Sequence, residues 1–162
     1  MEAKKHEITE EYKKELEAEL DNLNNVLIPA NVQALQDARS QGDLSENADY
    51  DAARNEQARL NGRLNEIKEI LKNSVILELD KSDKVQNGKF IKIQYTGPKG
   101  EVTEQYQIVG SVEADIFNHK LSNESPFGKA LIGHKKNETV KVLTPAGTSV
   151  SVKILSVSNK AE

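Results

Sequence analysis

The sequence predicts an α+β protein: an N-terminal antiparallel α-helical coiled-coil hairpin, then a small antiparallel β domain with one short helix. Three observations carry this. Apolar residues recur at heptad spacing on both sides of one Gly–Asp stretch, as Leu16, Leu20, Leu23 and Leu27 before it and Leu60, Leu64, Ile67 and Leu71 after it. Pairing Leu16 with Leu71, Leu20 with Ile67, Leu23 with Leu64 and Leu27 with Leu60 keeps the sum of residue numbers at 87, as two antiparallel helices require. From Ser74 onward the apolar period falls to two, which is the period of half-buried strands. Charge divides the chain in the same place. Residues 1–79 hold 10 Lys and Arg against 17 Asp and Glu, and residues 80–162 hold 12 against 9. The predicted domains are therefore 1–79, a hairpin with an acidic tip at 42–49, and 80–162, the β domain.

The first helix is expected to start at Thr9, an N-cap residue followed by Glu10 and Glu11 where the helix dipole favours them. Its stripe runs Ile8, Tyr12, Leu16, Leu20, Leu23, Leu27. Pro29 predicts a bend, because Val32, Leu35 and Ala38 resume an apolar face beyond it. The helix should end near Gln41-Gly42, and the second should run from about Asp43–Ser45 to Asn73. Two arms of roughly 30 residues would each reach about 45 Å. Alanines 34, 38, 48, 52 and 53 keep the far end slender. In the second part, Val75–Leu79 reads as a strand and Phe90–Tyr95 as another. Thr96–Gly100 reads as a five-residue hairpin loop leading to a strand at Val102–Val109. Ser125 and Pro126 have the form of an N-cap and first position of a short helix reaching Leu131. A last hairpin joins Val140–Leu143 to Ser149–Val157 through Thr144–Gly147.

Composition excludes several classes. There is no cysteine, hence no disulfide framework and no thiolate metal site. No apolar run approaches 18 residues, so a membrane span and a signal peptide are not expected, and the protein is expected in the cytoplasm. A net charge of −4 argues against tight unaided binding to nucleic acid. With 30% charged residues, no Trp and only 4 Tyr and 3 Phe, one large core is out of reach.

The chemistry concentrates between Gly42 and Tyr50. Asp43 and Glu46 stand three apart, with Asp49 one turn on, and carboxylates are the hard oxygen ligands Mg²⁺ takes. Two such groups do not satisfy an octahedral ion, so a partner must complete the site. The same Asp-Leu-Ser-Glu spacing is also that of a capping box, and the spacing alone leaves both roles open. Arg39, Arg54, Arg59 and Arg63 flank this end. Arg54, Arg59 and Arg63 are candidate phosphate contacts, with ion pairing to nearby acids as the competing role. His6, His119 and His134 are scattered, and no nucleophile–base pair or phosphate-binding glycine loop is present.

The stretch Ala38-Arg39-Ser40-Gln41-Gly42-Asp43-Leu44-Ser45-Glu46-Asn47-Ala48-Asp49-Tyr50, continuing through Ala52-Ala53-Arg54 to Gln57, resembles the tip signature of the bacterial transcript-cleavage factors of the GreA/GreB family. So does Ser125-Pro126-Phe127-Gly128-Lys129-Ala130-Leu131-Ile132-Gly133-His134, with Thr144-Pro145-Ala146-Gly147 after it. The resemblance implies an FKBP-like second domain that docks on RNA polymerase, through Ser125, Pro126, Phe127 and Lys129, while the hairpin enters the secondary channel. It implies that Asp43 and Glu46 act in the polymerase active site on its Mg²⁺, with no cofactor of the chain's own. The nascent RNA 3′ segment would be hydrolysed by the polymerase, so the chain is not itself an enzyme. A weak contact with DNA and a monomeric state complete the expectation. Asp49 stands where the family usually has Glu, Asp51 where His is frequent, and Ile28-Pro29-Ala30 where Arg-Pro-Glu is usual. The rival functions are a channel-binding regulator without cleavage stimulation and a prolyl isomerase or chaperone built on the second domain.

Overall fold

A computed structural model describes residues 5–41 and 47–161. They form two compact units, residues 11–73 in one and residues 1–10 with 74–162 in the other. The boundary read from the sequence at 79/80 thus falls at 73/74, and the N-terminal residues join the β unit.

The helical unit is α1 (Glu10–Asn22, whose first residue belongs to the β unit), a π turn (Leu23–Leu27), α2 (Ile28–Ser40) and α3 (Ala48–Lys72). The π turn is the chain's answer to Pro29. A proline has no N–H to give and crowds the carbonyl four residues back. Widening the preceding turn relieves this, and the N–H of Ile28 donates to Leu23 O, five residues back. The extra residue shows in the seam. Leu16 and Leu23 are buried seven apart, Asn31 and Ala38 again seven apart, but Leu23 to Asn31 is a step of eight. On α3 the buried positions Ala53, Leu60 and Ile67 keep strict heptad spacing, with Ile70 beside them.

The predicted pairing needs correction. Glu19 bonds to Arg63, Asn31 to Ala53 and Ala38 to Asn47. A constant sum of 87 would have set them against Lys68, Glu56 and Asp49. Leu27 is surface-exposed, and Leu20, Leu64 and Leu71 are half-buried at the seam's edge.

The β unit is centred on a five-stranded sheet of order β5-β4-β3-β7-β6, from β3 (Phe90–Gly97), β4 (Gly100–Val109), β5 (Lys120–Ser122), β6 (Thr139–Leu143) and β7 (Ser149–Ser158). The pairs are antiparallel except β4 with β5, where Gln107 faces Lys120 in parallel. The turn between β3 and β4 is two residues, Pro98-Lys99, rather than five. Gly97 and Gly100 pair across it, and Gly100 takes a φ of 114° that a side chain would resist. A short helix α4 (Pro126–Leu131) lies on this sheet. Val85, Ile91, Ile93, Ile108, Leu131, Val140, Val142, Val152 and Ile154 form the core.

A second, two-stranded sheet pairs β1 (His6–Ile8) in parallel with β2 (Ser74–Ile76). Ile8, read from the sequence as the first residue of a helical stripe, is instead a buried strand residue. Among the described residues no helix is long and apolar enough to cross a membrane.

Candidate functional site

The described part of the hairpin's far end is made of two helix termini. α2 closes with Gln41, whose N–H reaches back to Ala38 O and Arg39 O. Arg39 stands in that last turn, where the helix carbonyls favour a cation. α3 begins at Ala48 because Asn47 caps it. The extended Asn47 accepts the N–H of Tyr50 on Oδ1 at 3.0 Å and donates from Nδ2 to Ala38 O at 2.6 Å. One side chain therefore both starts α3 and ties it to α2. Asp49 and Asp51 sit exposed in the first turn, on the favourable side of the dipole. The start predicted at Asp43–Ser45 moves accordingly to Ala48. Asp43 and Glu46 lie outside the described residues.

Tyr50 meets two cations. The guanidinium carbon of Arg39 is 5.7 Å from the ring centroid and that of Arg54 is 6.0 Å. Hydrogen bonding and charge from Arg39, then the charge of Arg54, hold the Tyr50 phenol below its ordinary pKa. Arg59 and Arg63 are placed differently. Arg59 Nε donates to Glu56 at 2.9 Å. Arg63 grips both oxygens of Glu19, at 2.7 and 2.8 Å, and adds Glu66 at 3.2 Å. The ion-pairing role left open for these arginines is the one seen for Arg59 and Arg63.

In the β unit, Ser125 caps α4 as expected, accepting from Gly128 N–H at 3.1 Å and donating to Ser122 O at 2.6 Å. Pro126 and Lys129 are exposed. Leu131 is core, and Phe127 is half-buried against that core. Phe127 lines a cavity of about 210 Å³ with Tyr95, Glu104 and Tyr106. Both phenols there donate to the one Glu104 carboxylate, at 3.2 and 2.7 Å. Burial first and that carboxylate second raise both phenol pKa values.

Asn31, Lys89 and Glu113, polar residues that the sequence did not single out, are buried. Asn31 lies in the helical seam and donates to Ala53 O at 2.9 Å. Lys89 is 1% exposed, with Nζ bonded to Asp80 O, Ser82 O and Asn159 Oδ1. Glu113 accepts both the N–H and the hydroxyl of Thr9, at 3.0 and 2.7 Å. Asn31 carried a signal, an Asn eight residues past Leu23 once the π turn is allowed for. Glu113 has its partner Thr9 104 residues away and Lys89 has one of its three 70 residues away, too distant in sequence to show.

Two family profiles match the chain. One, described as "Transcription elongation factor, N-terminal", covers residues 6–76. The other, described as "Transcription elongation factor, GreA/GreB, C-term", covers residues 80–159. The chain is 44% identical over 162 residues to transcription elongation factor GreA of Staphylococcus carnosus, covering 97% of this chain and 98% of that protein. It is 44% identical over 158 residues to GreA of Halalkalibacterium halodurans, covering 96% and 98%. Among solved structures it is similar to GreA factor homolog 1 of Thermus thermophilus, at 24% identity and a TM-score of 0.43, covering 94% and 98%.

Proposed function

Because this chain belongs to the GreA/GreB family of transcription elongation factors, we propose that it binds RNA polymerase and stimulates cleavage of backtracked nascent RNA by placing Asp43 and Glu46 in the polymerase active site. The observation that supports this is the bond that joins the ends of the two arms on either side of those acids in the sequence. They fall in the stretch joining α2 to α3, between residues that a single amide, Asn47, ties together.

The donor chemistry fits a shared ion. Two carboxylates supply fewer ligands than Mg²⁺ takes, and among the described residues no group of three acids or histidines could hold a metal. Asp43 and Glu46 would complete a Mg²⁺ whose other ligands the polymerase provides, and the ion supplies charge to activate water and steady the leaving oxygen. The chain's own contribution is delivery. Its carboxylates would be oxygen ligands to the ion and hydrogen-bond acceptors for the attacking water, and the helical arms carry them. Arg54 contacts the RNA 3′ segment, whereas Arg59 and Arg63 are engaged by Glu56, Glu19 and Glu66. Docking falls to Ser125, Pro126 and Lys129 around the α4 N-terminus, with the exposed edge of Phe127. The factor works as a monomer and touches DNA only weakly.

The test is RNA cleavage in stalled elongation complexes, with and without the protein. Asp43→Asn and Glu46→Ala should abolish the stimulation while polymerase binding survives. Full activity in Asp43→Asn would remove the ligand role.

A further inference from the structure

Of the chain's four arginines, Arg59 and Arg63 are committed to carboxylates. Arg39 and Arg54 are not: among the described residues neither forms an ion pair with Asp or Glu. Both converge on Tyr50 instead. Two guanidiniums drawn to one ring repel each other, and a ring quadrupole offsets only part of that repulsion. An anion that meets both relieves more of it. The acids nearest in sequence, Asp49 and Asp51, occupy the first turn of α3.

The backbone of Tyr50 is held in place at the start of α3. Tyr50 N–H is fixed on the Asn47 cap, and Asn47 is bonded to Ala38, the residue before Arg39. Arg54 follows Tyr50 by four residues, one turn along the same face of α3. The cluster therefore brings one arginine from each helix to a single aromatic residue.

Building on the cleavage-factor function above, we propose that Tyr50 is a positioning residue: it holds Arg39 and Arg54 together at its ring so that both can receive a phosphodiester of single-stranded RNA. Tyr50 itself makes no contact with the reacting atoms. Its effect is exerted through the two guanidiniums, and this separates it from an ordinary packing residue. Loss of the ring lets the arginines swing toward Asp49, Asp51 or solvent, and the RNA phosphate loses a preorganised partner.

The test has one arm without polymerase and one with it. Ultraviolet difference titration of the wild type should show one tyrosine ionising early. That component should vanish in Tyr50→Phe and move to higher pH in Arg39→Gln. In stalled complexes, Tyr50→Leu should lower the maximal cleavage rate about tenfold, the scale of one lost charge-assisted contact, without changing the factor concentration that gives half the effect. Tyr50→Phe should retain most of the rate, because the ring remains. Adding Tyr50→Leu to Arg39→Gln/Arg54→Gln should lower the rate no further. A wild-type rate in Tyr50→Leu, or a loss that adds in full to that of the arginine pair, overturns the positioning role. Should Tyr50→Leu fail to fold, Arg39→Gln decides alone: an unshifted tyrosine titration overturns the assembly. A wild type that stimulates no cleavage overturns the cleavage function itself and this role with it.

Discussion

Replacing Gly128 with alanine should unfold the β unit about 10 °C early. The magnitude follows from one contact. A Cβ built on Gly128 would stand 2.1 Å from Ser122 O and 3.0 Å from Asn123 Cα. Ordinary contact begins at 3.4 Å, so the gap between α4 and the end of β5 would have to open by about 1.3 Å (3.4 − 2.1). The obstacle is backbone, which cannot swing aside. The helix cannot retreat either, because Leu131 is fully buried in the core and Ser125 is bonded to Ser122 O at 2.6 Å. Overpacking of this kind costs about 3 kcal/mol, and alanine returns about 1 kcal/mol in helix propensity. The net loss is about 2 kcal/mol. In a unit of about 100 residues each kcal/mol is worth roughly 4–8 °C.

Calorimetry of the full chain reads the result, with Gly62→Ala as the control of opposite sign. Gly62 is in α3 with nothing within 4 Å of its built Cβ, so alanine there should stabilise by about 0.5–1 kcal/mol. A Gly128→Ala protein that melts within about 2 °C of the wild type would refute the packing argument. Since α4 carries Ser125, Pro126, Phe127 and Lys129, the same substitution should also weaken polymerase binding.

Two further predictions concern ions. The carboxyl of Glu19 is held below its ordinary pKa, first by its hydrogen bonds to Arg63, so the pair stabilises the folded state above that ordinary value and fades as pH falls through the depressed one. Both side chains are about a third or more exposed, which keeps the contribution under about 1 kcal/mol. Urea unfolding of wild type and Arg63→Gln should therefore differ at pH 7 and converge as pH falls below the ordinary carboxylate range; a gap that ignores pH would sink the assignment. Lys89→Met should cost about 3 kcal/mol, because it leaves Asp80 O, Ser82 O and Asn159 Oδ1 without their shared donor. An unfolding midpoint equal to that of the wild type would mean that this buried ammonium stabilises nothing.

How much of this was legible depends on how far apart the interacting residues lie. The hairpin could be read because heptads are local, and Ala53, Leu60 and Ile67 are buried as that period requires. Its register could not, since one extra residue in the π turn before Pro29 shifts every later position. Alternation exposed β3, β4, β6 and β7 for the same local reason. It missed β1, a three-residue strand whose parallel partner begins at Ser74. Glu113 and Lys89 look like surface charges in sequence, and their contacts with Thr9 and Asn159 join them to residues far along the chain.

The tip acids show what a local pattern can and cannot decide. Asp-Leu-Ser-Glu satisfies the spacing of a capping box, and that spacing offered a purely structural reason for both carboxylates. A capping box needs its helix to start one residue after the cap. α3 starts at Ala48, and the residue that caps it is Asn47, whose Oδ1 holds the Tyr50 N–H. The N-cap of α3 is thus neither Asp43 nor Glu46, so the capping role that their spacing offered is filled by Asn47 instead. This also removes a confounder from the decisive experiment. Asp43→Asn or Glu46→Ala changes a carboxylate without touching the cap of α3, so lost cleavage in either variant reports on the ligand and not on a frayed helix.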